Sequence, residues 1–323
     1  MSLSRRKFFQ AAAASLSSLS VDLTTSVRTQ DAAAPSEAHP RRPIPAREFG
    51  RTGRTLPRLG LGCQALGELE DHGAGQAIVE RAYADGVRYF DTAPAYGWGK
   101  SEVRVGRGLA GVERAGIWIN TKTLARTPEA ARKGLRESLG RLKTAYVDSI
   151  LLHAINTKEA LREVLVSGVP EVLLAAKEEG LVRHIGISGH ADPGVIKQAL
   201  FSFGFDLCLV PVNPIDTYKR SFVKDLLPHA EAQGLGVVAM KVLAGGYLPK
   251  ARPKAAIGAL VRYALAQRAV HVAVVGAKTL DEWALIRAAL DVAEAPSAEE
   301  QAALIERVGP HEGQASEWYK YDK

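Results

Sequence analysis

The sequence predicts a closed parallel (β/α)8 barrel, a TIM barrel, with a β-hairpin lid at its start. Three observations predict it. From Leu59 onward, eight runs rich in β-formers are each followed by a segment of helical spacing. The alternation fills about 250 residues, the usual length of such a barrel. No G-x-G-x-x-G phosphate loop follows the first run, because Gly60-Leu61-Gly62 lies inside the strand and continues as Cys63-Gln64-Ala65. That absence disfavours the runner-up, a doubly wound open sheet.

The elements follow in order. Residues 47–58 read as two short strands about Thr52-Gly53. The β-runs are 59–63, 87–91, 117–122, 147–152, 184–188, 205–210, 235–240 and 271–275. Helical spacing occupies 75–84, 101–109, 128–142, 170–179, 193–201, 222–233, 254–267 and 280–293. Pro128, Pro170 and Pro193 open helices, where a missing N–H costs nothing, and Gly86, Gly180 and Gly234 end them. Residues 297–307 predict one more helix, and the tail 313–323, with Trp318, Tyr319 and Tyr321, is expected to cover part of the surface.

With 323 residues and 46% hydrophobic content, the chain can bury one large core. Its formal charge is +7, but residues 1–45 contribute +3 of it through Arg5, Arg6, Lys7, Arg28, Arg41 and Arg42 against Asp22, Asp31 and Glu37. The rest is thinly spread, with no basic stripe for nucleic acid and no apolar run beyond the N-terminus suited to stable membrane insertion. Ser4-Arg5-Arg6-Lys7-Phe8-Phe9, a mildly apolar stretch over 11–21 and the small residues Ala32-Ala33-Ala34 resemble a twin-arginine export signal. The expected organisation is therefore a signal and linker over 1–45 and a barrel over 46–323, carried by the twin-arginine translocation machinery to the periplasm. Cys63 and Cys208 read as buried free thiols, and no cluster has metal-ligand spacing.

The chemistry gathers around Val87-Arg88-Tyr89-Phe90-Asp91-Thr92-Ala93-Pro94-Ala95-Tyr96-Gly97. β-Formers give way there to a Pro- and Gly-punctuated turn, so Asp91 closes a strand and Tyr96 stands in the loop beyond. Lys122 ends the third run and His153 the fourth. In a parallel barrel all these ends share one face. The set suits carbonyl reduction: Tyr96 as general acid and base, Lys122 lowering its pKa, Asp91 keeping Lys122 charged, and His153 bonding the substrate oxygen. None of them supplies electrons, so a hydride-donating cofactor is implied.

These residues carry a resemblance to the aldo-keto reductase family. Phe90-Asp91-Thr92-Ala93-Pro94-Ala95-Tyr96-Gly97 is similar to its second-strand motif, Thr121-Lys122-Thr123 to its lysine strand and Leu151-Leu152-His153 to its histidine strand. Leu59-Gly60-Leu61-Gly62, Gly186-Ile187-Ser188 and Val275-Gly276-Ala277 also fit, over about residues 48–293. The resemblance implies a nicotinamide cofactor, NADP with NAD possible, and a small carbonyl or sugar substrate. It places Ser188 and His190 at the carboxamide, Lys241 and Gly245 at the pyrophosphate, and Gly276, Lys278 and Thr279 at the ribose phosphate. Gly189, Leu209 and Met240 stand where the family usually has Asn, Gln and an aromatic residue, and Glu282 lies where it would repel a 2′-phosphate. Two further readings stay open: a ligand-binding or regulatory barrel without turnover, and a sugar lyase or epimerase with tightly held cofactor. Substrate choice is expected to lie in the loops at 98–100, 154–169 and 217–220.

Overall fold

The computed structural model describes residues 41–248, 255–291 and 295–321, so the export segment expected over 1–45 lies almost wholly outside the described residues. A hairpin of β1 (Ala46–Glu48) and β2 (Thr55–Pro57) comes first. Then follow β3 (Leu59–Gly62), β4 (Tyr89–Asp91), β5 (Trp118–Thr123), β6 (Val147–Leu152), β7 (Val182–Ser188), β8 (Leu207–Pro211), β9 (Gly236–Met240) and β10 (Val272–Val275). Each pairs in parallel with the next, and β10 pairs with β3, so the barrel closes. Around it lie α1 (Gln64–Glu68), α2 (His72–Ala84), α3 (Lys100–Gly108), α4 (Pro128–Leu142), α5 (Lys158–Leu165), α6 (Val169–Glu178), α7 (Pro193–Ser202), α8 (Phe222–Asp225), α9 (Leu227–Ala232), α10 (Ala255–Ala266), α11 (Leu280–Ala288) and α12 (Ala298–Val308).

β5, β6, β8 and β10 are buried throughout; β8 and β10 read as continuous apolar runs, whereas β5 and β6 bury Asn120, Thr121, Lys122, Asp148 and Ser149 among their apolar residues. Alternate residues serve two cores. Ile119, Ile150, Leu152, Ile185 and Ile187 face the helices. Tyr89, Trp118, Leu151, Leu207, Leu209, Val238 and Val272 fill the interior.

The hairpin's Phe49 joins that inner core. Its ring meets Trp118 edge-on at 5.0 Å and Tyr89 at 5.9 Å, the first residues of β5 and β4, and His271 just before β10 at 5.8 Å. The lid therefore seals the end where the strands begin, opposite the ends that carry Asp91 and Lys122. Burying such a ring contributes roughly 2–3 kcal/mol.

Four elements differ from expectation, the first being α1, a short helix directly after β3 where none was expected. The helix over 222–233 divides at Leu226, where φ is −115°, into α8 and α9. Pro228, in the first turn of α9, has no N–H to continue the earlier turn. The expected loop 154–169 contains α5, whose N-cap Thr157 accepts a hydrogen bond from Ala160 N at 3.1 Å. The helix over 280–293 already ends at Ala288.

Asp206, just before β8, joins two strands. Its carboxylate accepts from Ile185 N at 3.0 Å and from Lys177 Nζ at 2.9 Å, and lies 3.6 Å from His184 Nδ1. Burial pushes its pKa up, but the bonds from His184, Ile185 and Lys177 outweigh burial and hold it below the usual carboxylate range. A depressed folded pKa gives stability that is complete above the unfolded value of about 3.9 and is lost as pH falls through the folded value. Asp206→Asn should lower unfolding stability by roughly 1–2 kcal/mol at neutral pH, allowing for solvent screening of Lys177. In urea denaturation repeated at falling pH, the gap from the parent should narrow below about pH 4; a gap independent of pH would refute the assignment.

Candidate active site

A column of polar side chains climbs the barrel interior beneath the strand ends. Trp118, Asn120 and Lys122 alternate along β5 and so point the same way. Trp118 Nε1 donates to Ser149 Oγ at 2.9 Å, and Ser149 Oγ donates to Asn120 Oδ1 at 2.6 Å. Asn120 Nδ2 donates to Asp91 Oδ1 at 2.5 Å, where Lys122 Nζ also arrives at 2.7 Å. Lys122, 2% exposed, gives a further hydrogen bond to Thr92 O at 2.8 Å. Burial alone would discharge this lysine, but Asp91 and Tyr96 overcome that penalty and hold its pKa above the ordinary value.

Tyr96 stands over the ammonium, with Lys122 Nζ 4.6 Å from its ring centre. A tight turn holds it there, Tyr96 N bonding Ala93 O at 3.1 Å and Ser101 N bonding Tyr96 O at 3.2 Å. The His153 ring meets it edge-on at 5.8 Å. Desolvation raises the phenol's pKa while Lys122 draws it down, and the net direction is upward. Sequence reasoning anticipated the pull of Lys122 and left out the larger opposing effect of burial. His153 is driven well below its ordinary value by burial and then by Lys122, His190 and Lys241, so the imidazole is neutral. Its Nδ1 is buried without a hydrogen-bond partner among the described residues. Asp91, Lys122, Tyr96 and His153 thus lie together where β4, β5 and β6 end.

The residues expected at a cofactor fall into two groups. Ser188, at the end of β7, donates to Leu152 O and accepts from Ala154 N, each at 3.3 Å. His190 Nδ1 lies 2.7 Å from Tyr319 O; a carbonyl only accepts, so Nδ1 carries the hydrogen. Its Nε2 is then left to accept from Asn156 Nδ2 at 3.3 Å. Lys241 Nζ lies 4.9 Å from the Trp318 ring centre. Gly245 has φ 63°, and a Cβ there would stand 2.8 Å from Trp318 Nε1, so both conformation and space demand glycine.

The second group lies beyond β10. Gly276 approaches Gly62 O closely. Thr279 caps α11 by accepting from Glu282 N at 3.1 Å, while the Glu282 carboxylate accepts from Lys278 N at 2.6 Å. Lys278 Nζ pairs with Glu68 at 2.9 Å. A hollow of about 260 Å³ opens between Ala74, Ala77 and Ile78 of α2 and Lys278, Thr279 and Leu280.

The departures at 189, 209 and 240 have a physical basis. A Cβ at Gly189 would meet Ile155 O at 2.4 Å, so no side chain can project there. Leu209 is fully buried in the inner core, and Met240 packs against the same cluster. Sequence reasoning passed over Asn120 and Ser149, although polar residues inside runs expected to be buried strands were a visible signal. Asn213, Asp216, Glu317 and Lys320, which bind the tail to the barrel, gave no comparable signal.

Comparison with known proteins agrees with this geometry. The model of the aldo/keto reductase family matches residues 58–258. The L-galactose dehydrogenase of Arabidopsis thaliana is 31% identical over 231 residues, 65% of this chain and 69% of that protein. The methylglyoxal reductase of Salmonella typhi is 32% identical over 196 residues, 59% of this chain and 68% of its own. A Klebsiella pneumoniae aldo/keto reductase, solved in complex with NADP and acetate, superposes with a TM-score of 0.65 at 25% identity, over 83% of this chain and 96% of that one. Because the family match takes in β3 to β9, and with them every residue of the cluster around Tyr96, the chain belongs to the aldo/keto reductase family.

Proposed function

We propose that this barrel is an NAD(P)H-dependent oxidoreductase that interconverts a carbonyl and an alcohol, with Tyr96 as general acid and base. The observation that carries the reading is the buried Lys122–Asp91 ion pair at 2.7 Å directly beneath the Tyr96 ring. A barrel that only bound a ligand would have no use for a desolvated ammonium against a phenol. No observation favours that reading, nor the lyase or epimerase.

The residues present suit a dinucleotide. Lys241 lies toward one end, and Lys278, Thr279 and the amino end of α11 border the largely apolar hollow at the other, donors that suit a phosphate beside an aromatic base against the opposing charges of Asp281 and Glu282. Ser188, whose hydroxyl keeps one lone pair, is the nearer carboxamide partner, since Gly189 and Leu209 offer none; both ring nitrogens of His190 are engaged by Tyr319 O and Asn156, so His190 serves only by exchanging its bond to Asn156. NADP is preferred because Klebsiella pneumoniae relatives were solved with NADP and with NADPH.

A bound nicotinamide supplies the hydride. Tyr96 passes its phenolic proton to the substrate oxygen, and Lys122 stabilises the phenolate that remains. Asp91 keeps Lys122 charged through the exchange. Neutral His153 donates an N–H to the same oxygen without adding a second positive charge beside Lys122. The substrate is a small carbonyl or sugar.

Two tests follow. Tyr96→Phe should lower kcat for carbonyl reduction by roughly 10²–10⁴-fold and leave NADPH affinity unchanged in a fluorescence titration. The parent's kcat–pH profile should show no step near about pH 6.5, where an ordinary histidine titrates, and should decline only on the alkaline side as Tyr96 loses its proton. A variant as active as the parent would remove Tyr96 from the mechanism. We also propose that residues 1–45 direct export of the folded protein to the periplasm. Replacing Arg5 and Arg6 together by Lys should leave full-length protein in the cytoplasmic fraction, whereas undiminished periplasmic protein would refute the signal.

A further inference from the structure

The last described residues fold back over the ends of β7, β8 and β9. Trp318–Lys320 forms a single 3-10 turn in which Tyr319 and Lys320 are buried. The residues expected to meet a dinucleotide lie against it: His190 donates to Tyr319 O, Lys241 faces the Trp318 ring, and Gly245 leaves room for the Trp318 indole. Asn213, which caps the turn after β8, ties the tail to the loop after β9. Its Nδ2 donates to Lys241 O at 3.1 Å and to Tyr319 Oη at 3.0 Å.

The loop needs that support. Lys241, Ala244, Gly245 and Gly246 all have positive φ, between 48° and 86°, a backbone that the two side-chain-bearing residues adopt only when their surroundings impose it. The tail is itself fastened by Lys320, whose ammonium lies fully buried 2.9 Å from Asp216 Oδ1 and 2.7 Å from Glu317 Oε1. The same nitrogen donates to the carbonyls of Asp216 and Lys219, and Arg220 donates to Lys320 O. Two carboxylates and one ammonium out of water are a poor source of stability and a strict constraint on position. Nothing in barrel closure calls for such a constraint on this segment. A site that must hold its roof in one register does.

We propose that residues 313–321 form a clasp over the path of the dinucleotide, with Lys320 as its latch, so that the seated clasp slows both entry and release of the nucleotide. The proposal rests on the dinucleotide reading given above. It concerns the loop after β9 and the cofactor, and it assigns the tail no contact with substrate.

The test uses the full barrel with NADPH as probe. Stopped-flow fluorescence measures association and displacement by excess NADP, and hydrogen exchange follows residues 313–321. Lys320→Met should speed NADPH release by about tenfold or more, raise the association rate and accelerate exchange in the tail while the barrel strands keep their protection. Trp318→Ala, which leaves the buried ion cluster intact, should speed release in the same direction and carries the test if Lys320→Met does not fold. In the parent, bound NADPH should slow exchange over 313–321. Release rates equal to the parent in a variant whose tail exchanges freely would overturn the clasp alone. So would tighter NADPH binding on loosening the tail, since the segment would then be competing with the nucleotide. A folded parent that binds neither NADPH nor NADH would overturn both the clasp and the dinucleotide reading.

Discussion

The site depends on one constraint, a lysine ammonium placed in a barrel interior where water cannot reach it. Lys122 is held charged because Asp91 lies 2.7 Å away and Thr92 O lies 2.8 Å away. Removing one partner from a buried pair of this kind costs roughly 3–5 kcal/mol, so the strand ends that carry it have little freedom to shift. The polar column below extends that constraint downward. Asp91 is oriented by Asn120, Asn120 by Ser149, and Ser149 by Trp118, so the polar cluster at one end of the barrel is joined by hydrogen bonds to the aromatic packing at the other.

The two ends of the barrel divide the work. Phe49, Tyr89 and Trp118 interlock at the end where strands begin, and the hairpin covers them. A barrel closed there by apolar packing can leave its opposite end polar without losing its core. Parallel strands then bring residues from separate β/α units to that face. The sharing is electrostatic as well as spatial: Lys122 lowers the pKa of both Tyr96 and His153, in one case opposing burial and in the other adding to it. The phenol therefore keeps its proton to donate, and the imidazole stays neutral.

Lys122 and Lys320 are both almost completely buried, yet their surroundings differ. Lys122 has one carboxylate, a main-chain carbonyl and a phenol, and its charge acts on that phenol. Lys320 has Asp216 and Glu317 together, with carbonyl oxygens to complete its hydrogen bonds. Burial pushes both of those carboxyls up in pKa while Lys320 draws them down. The first arrangement shifts the titration of its neighbours, and the second fixes where a chain segment lies.

Read by itself, the sequence determined the barrel and the polar corner around Tyr96. Parallel strands buried on both faces must be continuous apolar runs, and helices between them must carry a period near 3.6, so eight such alternations left little choice of fold. Asp91, Lys122 and His153 were legible because each is a polar residue at or just past the end of a strand, and Tyr96 because it stands in the short turn beyond Asp91; topology alone sends those ends to one face. The break at Pro228 and the helix capped by Thr157 were written locally and overlooked. Tertiary structure alone decided the rest. That Gly189 leaves no room for a side chain follows from the approach of Ile155 O, and that desolvation outweighs Lys122 at Tyr96 follows from burial. The seating of Trp318, Tyr319 and Lys320 against His190, Lys241 and Asp216 joins residues about eighty to one hundred and thirty positions apart. No periodicity spans such distances; only the closed barrel brings those surfaces together.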